Sequence, residues 1–356
     1  MEARLAQLRR FLEKQELDAV IIHKFENISY FSGFSGTSGI VIVTRASAKL
    51  ITDFRYVEQA VKEAVLFEIV EHKKSILAQV SEEIAHESIT RVGFEGDSVT
   101  YNEFSILKQH LKNIKLKAVG LDQLRSIKDS VEIKKVKKAV AISDAAFDYI
   151  VTIIKPGVSE IMIAAELEMR MRKLGSSKPA FDTIVASGHR GSLPHGLATD
   201  KILAEGELVT MDFGAVYEGY HSDITRTVCV GKANNRQREI YRIVLESQLL
   251  GVKSVKAGKS GKEVDTIVRR FIMEAGYGKF FGHGLGHGVG LAIHELPRLS
   301  PSSSSDQLEE NMIVTVEPGI YIPEFGGVRI EDTVVVTSAG CDVLTSSSKQ
   351  LIEINP

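Results

Sequence analysis

The chain has 356 residues, of which 25% are charged and 44% hydrophobic, as in soluble globular proteins with one large domain or two smaller ones. Its formal net charge of -2 gives no support for nucleic-acid or membrane-surface binding, because both partners favour a basic protein face. The two cysteines, Cys229 and Cys341, argue against a disulfide framework or a thiolate zinc site and suit a reducing compartment.

Residues 1–121 predict an alternating α/β domain. Its first helix, over about residues 3–15, is charged and lacks the apolar core of a signal peptide. No run of about 18 apolar residues occurs, so a cytoplasmic protein is expected. The pattern then predicts strands at 19–23, 40–44, 49–56, 67–72 and 91–97, helices at 75–87 and 101–113, and a glycine/serine turn region over 27–39. Such alternation indicates a mixed or largely parallel sheet covered by helices.

Residues 122–356 predict a second domain with a weak internal repeat. A long helical pattern over residues 125–154 comes first. The turn KPG (155–157) then precedes a helix that ends near Gly175, and the turn KAG (256–258) precedes one that ends near Gly276. Further on, VTMDFG (209–214) is similar to VTVEPG (314–319), and both place an acid two residues after a threonine. Two related α/β halves are therefore expected.

Four acids occupy matching positions in the two copies of this repeat. Asp212 and Asp223 have the strand phase to lie side by side in a hairpin, and Glu317 and Glu331 occupy the corresponding positions of the second copy. Two halves that face each other would bring the four carboxylates to one surface. Desolvation and mutual repulsion would raise their pKa values, and a pair of divalent cations would remove both problems.

A glycine-rich stretch, FGHGLGHGVGLAIHELP (281–297), supplies histidines. As a strand it would place His283 and His287 on one face and the glycines on the other. His287 then fits as a single nitrogen ligand beside the four carboxylates. This oxygen-rich set suits Mn²⁺ or Co²⁺, with Zn²⁺ or Fe²⁺ as alternatives. Two such ions usually indicate hydrolysis, in which a bridging water becomes hydroxide near neutral pH.

Four segments resemble the metal-binding signatures of the pita-bread (M24) metallopeptidases, which include methionine aminopeptidase, aminopeptidase P and prolidase. The segments are PHG (194–196), MDFGAVYEGYHSDITRTV (211–228), HGLGHGVGLAIHELP (283–297) and TVEPGIYIPEFGGVRIEDTV (315–334). The resemblance implies an α/β fold with a creatinase/prolidase-like domain at 1–121. It also implies a pita-bread catalytic domain at 122–356 with a pseudo-twofold repeat.

The resemblance also implies roles for single residues. It assigns two metal ions to Asp212, Asp223, His287, Glu317 and Glu331, with Asp223 and Glu331 bridging both ions and Glu317 also shuttling a proton. It further assigns the substrate and the oxyanion to His195, His283 and His294, and the orientation of carboxylates to Arg329. The alternatives are that these histidines satisfy structural hydrogen bonds and that Arg329 makes a plain ion pair.

The N-terminal domain argues against a minimal methionine aminopeptidase, and the intact ligand set argues against creatinases and non-catalytic binding modules. What remains is cleavage at Xaa-Pro bonds. Arg298 resembles the arginine with which prolidases bind the carboxylate of a dipeptide, although it could also be a surface arginine. The expected enzyme is a homodimeric Xaa-Pro dipeptidase, and the alternative is an aminopeptidase P that acts on longer peptides.

Overall fold

The computed structural model describes residues 1–85, 89–303 and 307–355. The chain divides into two units, Met1–Arg125 and Ser126–Pro356, whereas the sequence predicts a boundary between residues 121 and 122. Each unit combines helices with strands, which confirms the predicted α/β class. Among the described residues, every helix is too short or too polar to cross a lipid bilayer.

The first unit is built on a six-stranded sheet with the strand order β4-β3-β2-β1-β5-β6. Its central strand β1 pairs antiparallel with β2 and parallel with β5, so the sheet is mixed, as predicted. The helices are α1 (Glu2–Lys14), α2 (Phe25–Ser32), α3 (Val57–Glu63), α4 (Ile76–Ala85) and α5 (Tyr101–His110). The strands are β1 (Ala19–Ile22), β2 (Ile40–Thr44), β3 (Ala48–Thr52), β4 (Glu68–Glu71), β5 (Arg91–Glu95) and β6 (Lys115–Val119).

Several elements of this unit differ from the predictions. Helix α2 occupies much of the predicted turn region, and the turn starts only at Gly33, whose φ of 82° ends the helix. The helix is stabilised by tertiary contacts, since the buried Asn27 side chain donates a hydrogen bond to Glu95 of β5. Helix α5 ends at residue 110, and strand β6 was not predicted. Residues 86 and 87 of the predicted helix 75–87 lie outside the described residues.

The second unit contains two copies of one arrangement: two helices, then strands that enclose a hairpin. The first copy comprises α6 (Ser130–Ile150), α7 (Glu160–Lys173), β7 (Ile184–Ser187), β8 (Leu208–Phe213), β9 (Val216–Tyr217), β10 (Tyr220–His221) and β11 (Ile224–Val230). The second comprises α8 (Asn235–Ser254), α9 (Gly261–Glu274), β12 (Gly286–Gly288), β13 (Glu295–Leu299), β14 (Ile313–Val316), β15 (Gly319–Ile322), β16 (Gly326–Arg329) and β17 (Asp332–Val336). Strands β18 (Cys341–Val343) and β19 (Glu353–Ile354) follow.

The local signals of the repeat match in the two copies. Gly157 and Gly258 have φ values of 91° and 86°, which favour glycine, and each ends the turn that precedes the second helix of its copy. The side chains of Ser159 and Ser260 then cap α7 and α9 by accepting a backbone N–H of the first turn. The structure therefore confirms the predicted internal repeat.

The strands of this unit form two larger sheets, one with the order β19-β11-β8-β7 and one with the order β13-β12-β14-β17-β18. Helices α6 and α7 pack on the first sheet and α8 and α9 on the second, each pair through its own apolar cluster. The sheets meet where Thr333 Oγ1 donates a hydrogen bond of 2.9 Å to the Asp223 carbonyl oxygen. The Glu331 N–H donates to the Thr225 carbonyl oxygen at 3.2 Å. This junction lies where the predicted acids are.

Within residues 281–290 the glycine-rich stretch is a strand only at Gly286–Gly288, with a bulge after His287, so the prediction of one strand that carries both His283 and His287 was wrong. The glycines nevertheless allow other backbone to approach closely. A Cβ atom on Gly286 would lie 2.0 Å from the Thr315 carbonyl oxygen, and one on Gly288 would lie 2.3 Å from that of Leu296. These close approaches fix the path of β12 between its two neighbours.

Replacing Gly288 by alanine should therefore destabilise the protein, because a methyl group would displace the Leu296 backbone. We expect the Gly288→Ala variant to lose about 1–3 kcal/mol of unfolding free energy, the usual cost of overpacking. Gly282→Ala is the matched control, since nothing lies within 4 Å of a Cβ atom there. Urea unfolding of both variants in EDTA measures the difference. Equal stability of the two variants would contradict the close packing of β12.

Candidate metal centre

Three of the predicted acids converge where the two larger sheets meet. Asp212 lies in β8, while Asp223 and Glu331 directly precede β11 and β17. One carboxylate oxygen from each lies within 4.8 Å of the others. The cross-strand register explains part of this convergence, because Asp212 is paired with Thr225, two residues after Asp223.

Glu317 and His287 complete the cluster. Glu317 directly follows β14, and its Oε1 atom lies 3.3 Å from His287 Nε2. The same nitrogen lies 3.5 Å from Asp223 Oδ2. His287 Nδ1 is 3.1 Å from the Gly288 carbonyl oxygen, which can only accept, so Nδ1 carries a proton and Nε2 faces the acids. Thr315 links the two residues, since its hydroxyl accepts the His287 N–H and donates to Glu317.

A buried arginine organises the carboxylates. Arg329 donates from Nη2 to Asp212 Oδ2 at 2.6 Å, from Nε to Thr225 Oγ1 at 3.0 Å and from Nη1 to Tyr321 Oη at 2.8 Å. Thr225 connects Arg329 to a second acid, because the Thr225 hydroxyl donates a hydrogen bond to Glu331 Oε2 at 2.7 Å. Arg329 thus makes more than an ion pair: it sets the rotamers of one acid directly and of another through a hydroxyl group.

Burial and mutual repulsion disfavour the charged forms of three of the four acids, which a bound cation would counteract. Burial, then the neighbouring acids, raise the pKa values of Asp223 and Glu331 well above the ordinary range. Burial also raises the pKa of Asp212, although Arg329 opposes the shift. Burial raises the pKa of Glu317 as well, but the hydrogen bond from His287, the nearby rings of His287 and His283 and the Arg329 guanidinium together outweigh it and hold the value at about 2.

The cluster fits divalent metal ions. Asp212 Oδ1 and Glu331 Oε1 are buried and have no hydrogen-bond partner among the described residues. A buried carboxylate oxygen without a partner is costly, and such an atom needs an explanation in a native structure. A cation coordinated by these two atoms would supply the missing interaction. The four carboxylates and one imidazole nitrogen are the donor set of hard or borderline ions.

The cluster opens into a cavity of about 510 Å³. The predicted residues His195, His283, His294 and Arg298 all line this cavity, together with Tyr321, Ser300 and Ser302. Arg298 pairs directly with His287 across β12 and β13, so the two side chains are on the same face. The His294 ring lies 4.2 Å from the His287 ring, and burial and then His287 lower the pKa of His294 to about 4.

Both ring nitrogens of His283 have protein partners outside the acid cluster. Nδ1 is 2.7 Å from the Gly284 carbonyl oxygen, so it is the donor. Nε2 is then the acceptor for the Tyr321 hydroxyl at 2.8 Å. Burial lowers the pKa of His283, which keeps the ring neutral. His283 can therefore influence the cluster through Tyr321 and Arg329.

Thr225, Thr315 and Tyr321 have structural roles at the site that were not predicted from the sequence. The strand phase of Thr225 was visible, since it alternates with Asp223, but its hydroxyl accepts a hydrogen bond from Arg329 and donates one to Glu331, and both partners belong to the other half. Tyr321 carries no local signal at all. Its partners are distant in sequence or on the neighbouring strand, and only the folded hairpin brings them together.

Comparisons with known proteins agree on one family. The model for metallopeptidase family M24 matches residues 134–338, and that for the creatinase/prolidase N-terminal domain matches residues 4–127. A curated Xaa-Pro dipeptidase of Pyrococcus furiosus is 43% identical over 99% of this chain and 100% of its own length. The structure of an Xaa-Pro dipeptidase from Bacillus anthracis is 47% identical, with a TM-score of 0.95 over 99% of both chains. That of an X-Pro aminopeptidase from Thermotoga maritima is 41% identical, with a TM-score of 0.87 over 95% and 98%.

Removing the Arg329 guanidinium should destabilise the metal-free protein, because Asp212 would lose its buried cation. We expect Arg329→Met to lower the free energy of unfolding by about 3–5 kcal/mol, as for other broken buried pairs. The double variant with Asp212→Asn should lose less than the sum of the single changes. Urea unfolding in EDTA measures the double-mutant cycle, and additivity within about 0.5 kcal/mol would show that the two residues are not linked.

Metal ions should stabilise the folded protein through this cluster. A ligand that binds only the folded state at about 100 times its Kd adds about 2.7 kcal/mol, so Mn²⁺ should raise the Tm of EDTA-treated protein. Glu331→Gln should abolish or strongly reduce this shift. Glu246→Gln is the matched control, because Glu246 is exposed and pairs with Arg242 on the surface of α8. A full Mn²⁺ shift in Glu331→Gln would exclude that residue as a ligand.

Proposed function

The chain belongs to metallopeptidase family M24, and from its site we propose that it hydrolyses Xaa-Pro dipeptides. The match confirms the predicted family and the predicted two-domain fold. The observation that carries the function is the buried cluster of acids and one imidazole at the bottom of a cavity that also contains Arg298. The full-length similarity to two Xaa-Pro dipeptidases supports the same conclusion.

Membership of the family implies a divalent metal cofactor. We propose that two ions are held by Asp212, Asp223, His287, Glu317 and Glu331, with Mn²⁺ as the first candidate and Co²⁺, Zn²⁺ or Fe²⁺ as alternatives. The orphaned oxygens of Asp212 and Glu331 support this assignment. When bound, such ions polarise the scissile carbonyl group and make a water molecule acidic near neutral pH.

Side chains of this protein would transfer the proton, stabilise the oxyanion and bind the peptide. Glu317 is ionised at neutral pH, so its carboxylate can take a proton from the attacking water and deliver it to the proline nitrogen as the C–N bond breaks. His294 is neutral, because its pKa is about 4, and can donate one hydrogen bond to the carbonyl oxygen as negative charge develops there. His195 lines the same cavity and is proposed to hold the peptide beside His294.

Arg298 is proposed to select dipeptides. The scissile nitrogen of an Xaa-Pro bond carries no hydrogen, so a peptidase for this bond must recognise other groups of the substrate. In a dipeptide the nearest such group is the free carboxylate of proline, which suits a guanidinium fork. Arg298 faces the site from β13, on the same side as His287.

The assembly and the location are also proposals. We propose a homodimer, on the basis of the family resemblance alone, and analytical ultracentrifugation would test it. We propose a cytoplasmic location because Cys229 and Cys341 are both free, which suits a reducing compartment.

An aminopeptidase that acts on longer peptides is the second candidate, favoured by the similarity to the X-Pro aminopeptidase of Thermotoga maritima. Cleavage of Ala-Pro and Ala-Pro-Ala separates the two. We expect EDTA to abolish activity, Mn²⁺ to restore it, and Ala-Pro to be the better substrate by kcat/KM. A preference for the tripeptide would overturn the dipeptidase assignment, and absence of any metal-restored cleavage would exclude the enzyme.

Arg298→Met tests the basis of this preference. A hydrogen bond to a charged group contributes about 1.5–3 kcal/mol, so the variant should raise KM for Ala-Pro about tenfold or more. The KM for Ala-Pro-Ala should change little, because its carboxylate lies one residue further away. Equal effects on the KM of both substrates would show that Arg298 does not bind the C-terminal carboxylate of the dipeptide.

A further inference from the structure

An ion pair on helix α9 makes hydrogen bonds to the segment 281–285, which precedes β12 and His287. Asp265 and Arg269 are one helical turn apart and make two parallel hydrogen bonds of 2.8 Å, from Arg269 Nε to Asp265 Oδ2 and from Nη2 to Oδ1. The Asp265 side chain is 1% exposed and that of Arg269 is 29% exposed. Neither residue lines the cavity, so neither contacts a substrate there.

The remaining hydrogen-bonding capacity of the pair is directed at backbone outside its own helix. Arg269 Nη1 donates to the Phe281 carbonyl oxygen at 2.9 Å, and Nη2 donates to that of His283 at 2.6 Å. Asp265 Oδ1 accepts the Leu285 N–H at 3.0 Å. The guanidinium carbon also lies 4.3 Å from the centre of the Phe281 ring. Two side chains thus hold three alternate residues of the segment 281–285.

This segment positions two groups of the site. The Leu285 carbonyl oxygen accepts the Glu317 N–H at 2.8 Å, which locates the proposed proton shuttle. His283 accepts the hydroxyl hydrogen bond of Tyr321, and Tyr321 in turn receives a hydrogen bond from Arg329. A shift of the segment would therefore move Glu317 through its backbone hydrogen bond to Leu285. It would also move Arg329 through the side chains of His283 and Tyr321.

We propose that Asp265 and Arg269 are positioning residues for peptide hydrolysis, which act by fixing the segment 281–285. The inference rests on the proposed function, because it concerns the same reaction. An ion pair that only stabilised α9 would leave its outer hydrogen bonds to solvent, as the next pair along the helix does: Arg270 and Glu274 are both exposed. Asp265 and Arg269 instead make these outer hydrogen bonds with the backbone of residues 281–285, which includes His283 and which accepts the Glu317 N–H at Leu285.

Arg269→Gln, Arg269→Lys and Asp265→Asn test this role against the matched control Arg270→Gln. Small misplacements of catalytic groups reduce rates by up to about a hundredfold, so each test variant should lower kcat for Ala-Pro about tenfold or more. The KM should stay within about threefold, since substrate contacts are untouched. The visible absorption bands of the Co²⁺-loaded protein should change as well, because Glu317 moves. The control should match the wild type in all three measurements.

Folded variants with wild-type kcat and wild-type Co²⁺ bands would overturn the proposal, as would an equal loss in Arg270→Gln. If Arg269→Gln does not fold, Arg269→Lys and Asp265→Asn decide. Failure of all three to fold, judged by circular dichroism, would also overturn it, because the pair would then be structural. Wild-type cleavage of Ala-Pro reports the proposed function separately, and the Co²⁺ bands report positioning even without that cleavage.

Discussion

The site depends on one buried guanidinium. Four carboxylates in one largely buried cluster repel one another, and burial adds to the free-energy cost of their charges. Arg329 offsets part of that cost by binding Asp212 and, through Thr225, orienting Glu331. It leaves Asp212 Oδ1 and Glu331 Oε1 without hydrogen-bond partners in the part of the chain that the structure describes. Arg329 therefore orients the acids but leaves two of their oxygen atoms without a hydrogen bond, so these atoms can coordinate a cation.

The internal repeat explains how acids distant in sequence come to share one surface. Each copy provides one acid at the end of a strand and a second acid before the return strand. The copies are then joined across their junction by threonines two residues after the second acid. Thr225 donates to the Glu331 carboxylate, and Thr333 donates to the Asp223 carbonyl oxygen. Each half thus holds the acid-bearing segment of the other, so neither half alone would form the cluster.

The predictions from sequence were reliable where a local signal decides the structure. Strand β2 was predicted residue for residue, and the capped helices of the repeat follow their turn glycines. They were wrong where distant contacts override the local signal. Helix α2 forms in a glycine/serine-rich region because Asn27 is held by Glu95, and β12 is short because it must fit between β13 and β14. Such contacts leave no periodicity in the sequence.

The α/β class, the repeat, the four acids and His287 were predictable from the sequence, because spacing and strand phase follow from neighbours along the chain. His195, His283 and His294 were assigned to the site by the resemblance to the M24 signatures. The orientation of those groups became visible only in the folded protein. It showed that Arg329 binds Asp212, that Tyr321 occupies His283 Nε2 and that Asp265 and Arg269 hold the segment between α9 and β12. The physical reason is that hydrogen bonds between distant residues depend on how the elements pack, which no single segment encodes.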